Sequence, residues 1–401
     1  MTQFPLSEDC LQIGGMSLTR LVQRVGITPF YAYDRQLITE RVALLRKHLP
    51  AEVQIHYAMK ANPMPAVVQH LASIVDGIDV ASAGELKIAL DTPILPGQIS
   101  FAGPGKKDSE LSCAIAAGIT LNMESGQEME RIANLGQHLG ICPKVAIRVN
   151  PDFELKSSGM KMSGGPKQFG VDAECVPSML ARCSELKLDF EGFHIFCGSQ
   201  NLNADAIQEA QEKTLQLGLH LAKHAPNPIR LLNIGGGFGI PYFPGEKTLD
   251  LISVCKNLHR LLDETKKYLS GTRIAIELGR YLVAEAGIYV CRVLERKISR
   301  ERVFLVTDGG LHHHLAASGN FGQVIRKNYP VIVGNKVKGQ EREHASVVGP
   351  LCTPLDLLAD EVEIAKADVG DLIVVFQSGA YGLTASPTAF LNHPAPAEIL
   401  V

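Results

Sequence analysis

The stretch IHYAMKANP, residues 55–63, decides how the rest of the chain is read. Ile55, Tyr57 and Met59 alternate with His56 and Ala58 in the period of two that a strand requires, and Asn62-Pro63 breaks the pattern. Lys60 therefore sits at the rim of a short strand. An amine there is either an ordinary solvated strand end or a chemical group presented at the mouth of a sheet. What recurs along the chain separates the two readings. Apolar or alternating runs return at 54–60 (QIHYAMK), 78–82 (IDVAS), 98–103 (QISFAG) and 119–124 (ITLNME). They continue at 144–150 (KVAIRVN), 190–197 (FEGFHIFC), 230–236 (RLLNIGG) and 273–279 (RIAIELG). Between them lie helix-like segments such as MPAVVQHLASIV and KDSELSCAIAAG, the latter with Asp108 as a candidate N-cap and Gly118 past its end. Eight strands alternating with helices is the count of an α/β fold of the (β/α)8 TIM-barrel type. A doubly wound sheet is the rival, and eight regular units favour closure.

After about residue 285 the texture changes. IYVCRVLERKI, RVFLVTDG and EVEIAKADVGDLIVVF read as antiparallel strands without intervening helices. The expected division is a barrel over 28–285 and a β-sandwich-like domain built from 1–27 and 286–401. The stretch 156–170, KSSGMKMSGGPKQFG, is rich in Gly, Ser and Lys, and reads as a loop over the site. The 401 residues, 46% hydrophobic and 20% charged, are enough for a large core. A formal net charge of −3 argues against a nucleic-acid or membrane-surface binder. No window holds the roughly 18 consecutive apolar residues of a membrane span. The start, MTQFPLSEDC, lacks a basic and an apolar signal region, and nine cysteines without CxxC pairs read as reduced thiols, so a cytoplasmic location is expected.

Functional residues of such barrels gather at the C-terminal ends of the strands. Lys60 ends strand 1; Ser82, Gly84 and Glu85 follow strand 2; Arg148 and Asn150 end strand 5. His194 lies in strand 6, with Gly198-Ser199-Gln200 just after it. Gly235-Gly236-Gly237 closes strand 7, and Glu277 and Arg280 close strand 8. Three consecutive glycines let backbone N–H groups approach an anion, and a simple tight turn is the bland alternative. GPGK at 103–106 lacks the spacing of a nucleotide loop. A reactive lysine facing a phosphate cradle across a barrel mouth suggests pyridoxal 5'-phosphate, with Lys60 as its Schiff-base lysine. Glu277 beside the pyridine nitrogen would keep that ring protonated. A salt bridge from Glu277 to Arg280 is the structural alternative.

These residues resemble the fold-type III pyridoxal-phosphate decarboxylases, the family of diaminopimelate, ornithine and arginine decarboxylases. The resemblance rests on HYAMKANP, DVASAGEL, RVNP, GSQ, NIGGGFG, ELGRYLVAEAG, GPLCTPLD and GAYG, and covers nearly the whole chain. It implies an alanine-racemase-type barrel with a C-terminal antiparallel β domain. It further implies that Lys60 carries the cofactor and Glu277 pairs with the ring nitrogen. Ser199, Gly235, Gly236, Gly237, Arg280 and Tyr381 would hold the phosphate. Cys352 would return a proton to the substrate carbon across the interface of a homodimer with shared sites.

Two departures bear on stacking and substrate. Relatives commonly carry a histidine three residues before the Ser of the GS motif; here that residue is Phe196, and His194 lies two residues earlier on the same strand face. Either ring is open as the stacking group. Diaminopimelate decarboxylases usually carry an acidic residue directly after the cysteine; here it is Thr353. Losing a charge-assisted hydrogen bond costs about 1.5–3 kcal/mol, roughly 10- to 100-fold in discrimination. That argues against free diaminopimelate or ornithine and towards specialised-pathway enzymes. Such enzymes act on acyl-carrier-protein-tethered amino acids, or in siderophore or exopolysaccharide and exosortase-associated pathways. Asp308 and Asp356 are candidate substrate contacts with turn duty as their alternative, and Arg280 is counted with them. His312-His313-His314 alternates in direction along an extended chain and is not read as a metal site. Diaminopimelate decarboxylation, an amino-acid racemase, a non-catalytic pyridoxal-phosphate-binding protein and a cofactor-free lysine enzyme stay open as alternatives.

Overall fold

The computed structural model describes residues 3–154, 160–323 and 325–401. The chain divides by its internal contacts into two units. One holds Arg41–Ile240 and Lys247–Tyr281. The other holds the described residues up to Glu40 together with Pro241–Glu246 and Leu282–Val401.

The barrel of the first unit is formed by eight parallel strands, β1 (Val53–Ala58), β2 (Gly77–Val80), β3 (Ile99–Phe101) and β4 (Thr120–Met123), then β5 (Lys144–Asn150), β6 (Asp189–Ile195), β7 (Leu231–Gly236) and β8 (Arg273–Leu278), and the two-residue strand Val171–Asp172 adds in parallel to β5. Each pairs with the next, and β8 pairs with β1 through Glu277 opposite His56. The sheet therefore closes, which excludes the doubly wound rival. Helices α1 (Pro65–Ala72), α2 (Ala83–Leu90), α3 (Asp108–Ala117), α4 (Gly126–Leu139), α5 (Val176–Glu185), α6 (Ala204–Ala222) and α7 (Leu251–Thr265) follow the first seven strands. Side-chain oxygens cap several of them: Ser82, Ser125, Asn203 and Asp250 accept the N–H groups of Glu85, Glu128, Ala206 and Ser253. α3 starts one residue earlier than read: Lys107 is its N-cap and Asp108 its first helical residue, while Gly118 closes it at φ +74°.

The barrel interior is unusually polar. The strand registers place His56, Asp79, Ser100, Asn122, Arg148, His194, Asn233 and Glu277 on one face, and all are buried. That face is the interior, because His194 on β6 bonds Glu277 on β8 across the intervening β7. Buried polar groups need partners, and these find them chiefly in one another.

The second unit is a mostly antiparallel sheet of eight connected strands. Its longest strand, Gly287–Ser299, pairs in its first half with Phe30–Tyr33 and Leu372–Val375 and in its second half with Arg302–Thr307. Two pairings are parallel rather than antiparallel: Arg302–Thr307 with Arg342–Val348, and Ala397–Leu400 with Phe30–Tyr33. Phe30–Tyr33, which the sequence reading assigned to the start of the barrel, is thus a strand of this sheet. All four residues are buried, and an apolar run alone does not say which sheet it will join. Leu11, Ile13, Leu18 and Leu21 of the N-terminal segment join Phe30, Ile288, Val290, Val374 and Phe376 in one apolar cluster of this unit. Among the described residues, no helix is long and apolar enough to cross a membrane.

Candidate active site

Lys60 sits in a short turn, Met59–Ala61, that leaves the C-terminal end of β1. The turn is pinned by the Tyr57 hydroxyl donating to Asn62 O (2.7 Å) and by Met64 N–H donating to Asn62 Oδ1 (3.1 Å). Its side chain is 42% exposed, whereas Glu277, at the end of β8, is 5% exposed. Lys60 Nζ lies 3.6 Å from Glu277 Oε1, and His194 Nε2 lies 2.9 Å from Glu277 Oε2. Burial alone would raise the Glu277 carboxyl; the Lys60 charge, the His194 hydrogen bond and Arg148 outweigh it and hold the group ionised, well below the usual carboxylate range. The alternative of a Glu277–Arg280 salt bridge is not what the carboxylate makes; its partners are Lys60 and His194.

The Phe196 ring centroid lies 5.4 Å from Lys60 Nζ. Phe196 and His194 thus have different neighbours: Phe196 faces the amine, and His194 holds the carboxylate. His194 Nδ1 is buried and has no hydrogen-bond partner among the described residues. Glu85, after β2, accepts the Ala81 N–H (2.7 Å), and its carboxyl is pushed up by burial against that bond and the charge of Lys60.

The glycine turn packs closely against the backbone of the neighbouring strands. A Cβ on Gly236 would lie 2.5 Å from Glu277 O, and one on Gly235 would lie 3.0 Å from Ile195 O. Gly235 and Gly237 both have positive φ, +66° and +74°. The turn is locked to the loop after β6: Asn201 N–H donates to Gly237 O (3.0 Å) and Gly239 N–H to Asn201 O (2.9 Å). The Gln200 side chain donates to Ile240 O (2.6 Å) and accepts the Ile240 N–H (3.2 Å). Ser199 pairs through its backbone with Met160. Arg280 opens the short helix Arg280–Val283 directly after β8, three residues beyond Glu277. Of the expected loop over 156–170, residues 156–159 lie outside the described residues. Its far end is held where Gly170 N–H donates to Glu124 Oε2 (3.0 Å) and Phe169 covers the Arg148 guanidinium at 5.1 Å.

The sequence reading missed Glu124, Asp79 and Ser100. Glu124 pairs with Arg148 at 2.9 Å, and burial, which raises its carboxyl, loses to Arg148 and Lys106, which lower it. Asp79 accepts from Ser100 Oγ at 2.6 Å and lies 3.2 Å from His56 Nδ1. The available signal was inward parity along β2, β3 and β4.

The remaining expected residues belong to the second unit. Cys352 is exposed. Beside it, Thr353 builds a tight turn, its N–H donating to Leu351 O and its Oγ1 accepting from Leu355 N–H. Asp356 is 3% exposed and accepts Leu311 N–H (2.6 Å) and Leu351 N–H (2.8 Å); Asp308 accepts Arg292 N–H (2.8 Å) and the Thr28 hydroxyl (2.5 Å). The oxygens of Asp356 each hold a backbone N–H, and those of Asp308 hold one backbone N–H and one hydroxyl, so both candidate substrate contacts also have a structural duty in the fold. Tyr381 has φ +52°, an uncommon backbone state for a residue with a side chain. His313 is bonded to Tyr289 and Pro394 O, and His314 to Ser378; burial lowers both imidazoles. Among the described residues, no group of three or more His, Cys, Asp or Glu could hold a metal ion.

A lysine at a barrel mouth, a buried ionised carboxylate 3.6 Å from its amine and a glycine turn with positive φ at Gly235 and Gly237 are a set of residues that a phosphorylated aldehyde cofactor would fit. The family described as "Pyridoxal-dependent decarboxylase, pyridoxal binding domain" matches residues 35–284, and by that match the chain belongs to the pyridoxal-dependent decarboxylases. The chain is 39% identical over 389 residues to the L-glutamyl-[BtrI acyl-carrier protein] decarboxylase of Niallia circulans, covering 96% of this chain and 90% of that one. It is 34% identical to the diaminopimelate decarboxylase of Aquifex aeolicus, over 98% of this chain and 90% of that one. Its fold matches the diaminopimelate decarboxylase of M. jannaschii in complex with L-lysine with a TM-score of 0.90 and 26% identity, over 99% of this chain and 92% of that one. The chain is therefore a pyridoxal-phosphate-dependent amino acid decarboxylase, a carbon–carbon lyase, with a TIM barrel and a second, mostly antiparallel domain.

Proposed function

We propose that this enzyme removes the α-carboxylate of an amino acid presented on an acyl-carrier protein, using Lys60 to hold pyridoxal phosphate through Nζ. The 3.6 Å approach of Lys60 to the buried Glu277 carries the reading of the site. Glu277 would accept a hydrogen bond from the protonated pyridine nitrogen and so keep that ring protonated, with His194 fixing its second oxygen. Phe196 would stack on the ring in place of a histidine. Ser199, Gly235, Gly236, Gly237, Arg280 and Tyr381 would hold the phosphate. When bound, the cofactor supplies the electron sink that takes up the electron pair left as CO2 departs. Cys352 Sγ, contributed by the partner subunit of a two-fold homodimer, would return a proton to the α-carbon. Nine cysteines, all free thiols, support a cytoplasmic setting.

Two observations support a tethered substrate: the 39% identity to a carrier-protein glutamate decarboxylase, and Thr353 where a carboxylate would anchor a distal ammonium. Diaminopimelate as substrate is the second reading, favoured by the 34% identity to a diaminopimelate decarboxylase. The test measures CO2 release from glutamyl-carrier protein, other aminoacyl-carriers and free diaminopimelate, ornithine, lysine and glutamate. Turnover of a carrier-bound aminoacyl group at least tenfold above every free amino acid is the expected result. Preferred turnover of free diaminopimelate would move the enzyme to lysine biosynthesis.

A further inference from the structure

The mechanism above leaves unused a buried imidazole one strand away from Glu277. His56 lies on β1 directly opposite Glu277 on β8, and both side chains enter the barrel interior. The ring is buried, and its Nδ1 lies 3.2 Å from Asp79 Oδ1 on β2. Asp79 is fixed in turn: Ser100 Oγ donates to the same oxygen (2.6 Å), and Asn122 Nδ2 donates to that hydroxyl (3.0 Å). The barrel also makes room for the ring. Gly77 faces His56 in the β1–β2 register, and a Cβ there would lie 2.6 Å from His56 Nε2. A glycine, a carboxylate and a hydroxyl on neighbouring strands thus locate one imidazole.

The charges that act on it most are acidic, although Asp76 is itself paired with Arg46 at 2.6 Å and Glu277 with Lys60 at 3.6 Å. Facing His56 are Asp79 on β2, Glu277 on β8 and Asp76 in the turn entering β2. Burial pushes the proton off the ring, but the charge and hydrogen bond of Asp79, with Glu277 and Asp76, outweigh it and raise the imidazole above its usual value. Glu277 itself is faced by Lys60, His194 and Arg148. Of these, Lys60 is a poor permanent counter-charge, because its amine is 42% exposed and is the group that takes the cofactor.

We propose that His56 is a positioning residue of the pyridoxal site: an imidazolium anchored on Asp79 that keeps Glu277 ionised whether or not the Lys60 ammonium is beside it. The inference rests on the Lys60 and Glu277 roles proposed above. Its consequence is that the acid limit of cofactor function is set in part by a residue that touches neither cofactor nor substrate.

The test uses His56→Gln, which keeps a donor for Asp79 and removes the charge, and Asp79→Asn, which removes the anchor. In the holoenzyme, the acid limb of the pH titration of the bound cofactor's visible absorbance should move up by about one pH unit in either variant. In the cofactor-free enzyme, ring-labelled histidine NMR, with the His56 signal assigned by its loss in His56→Gln, should show His56 titrating at lower pH in Glu277→Gln. Coupling between two titrating sites is reciprocal, so both shifts are required. An acid limb unchanged in both variants, or a His56 titration indifferent to Glu277→Gln, overturns the inference and leaves the cofactor reading intact. Wild-type protein that stays colourless with added pyridoxal phosphate overturns both.

Discussion

Lys60 and Glu277 approach within 3.6 Å, yet only the carboxylate is buried. A partly exposed amine is free to change its covalent partner. A buried carboxylate, held by His194 on its other oxygen, is not free to leave. The pair therefore combines one movable member with one fixed member, which suits a site that must release and recapture its lysine.

Lys60→Ala should abolish both the visible absorbance of the enzyme incubated with pyridoxal phosphate and CO2 release. Lys60→Arg should do the same, since arginine keeps the charge but not the nucleophilic amine. Absorbance spectra and a CO2 assay check this, and an active Lys60→Ala enzyme would remove the lysine from the mechanism.

Glu277→Gln should lower turnover by at least about 100-fold, because an amide leaves the ring nitrogen without a negative partner. It should also have a signature in stability. The folded-state carboxyl is depressed, so its contribution is present above the unfolded value near 4.5 and is lost as pH falls below it. Urea titrations of the cofactor-free wild type and variant should therefore show a stability gap at neutral pH that narrows below about pH 4.5. A gap constant down to pH 3 would contradict the depressed value.

Gly236→Ala places a Cβ 2.5 Å from a backbone oxygen, where no flexible side chain can yield. The expected cost is about 1–3 kcal/mol of stability, with weakened retention of pyridoxal phosphate. Chemical denaturation and cofactor release on gel filtration measure the two effects separately.

Cys352→Ala should slow formation of the amine product more than release of CO2, if the exposed thiol returns the proton. Parallel measurement of both products tests this; equal slowing would assign Cys352 another part.

Thr353→Glu should raise turnover of free diamino acids about 10- to 100-fold relative to wild type, by restoring an anchor for a distal ammonium. A competition assay between ornithine and a carrier-bound aminoacyl group reads the change. An unchanged ratio would place the specificity elsewhere.

The eight barrel strands were legible because each is a short run with a period of two or a buried apolar block, ended by Gly, Pro or Asn. The same signal could not say which sheet Phe30–Tyr33 joins, since four buried residues fit either. The strand-end rule found Lys60, Glu277, His194 and the glycine turn, because position along a strand is a local property. It did not find the pairing of His56 with Asp79 or of Arg148 with Glu124, which depends on register between strands. For Asp308 and Asp356 the sequence offered both chemistry and structural duty, and only the structure shows the backbone N–H groups and the hydroxyl that their oxygens hold.

The link between the loops after β6 and β7 has a thermodynamic consequence. Gln200 bonds both polar groups of Ile240, and Asn201 bonds Gly237 and Gly239, so the glycine turn is already ordered before any anion arrives. Cofactor capture then loses little loop entropy, and the grip on a phosphate should come as a rigid-body fit rather than a folding event. Weakening that clasp with Gln200→Ala should therefore loosen cofactor retention through the order of the turn alone, with every residue proposed to hold the phosphate unchanged.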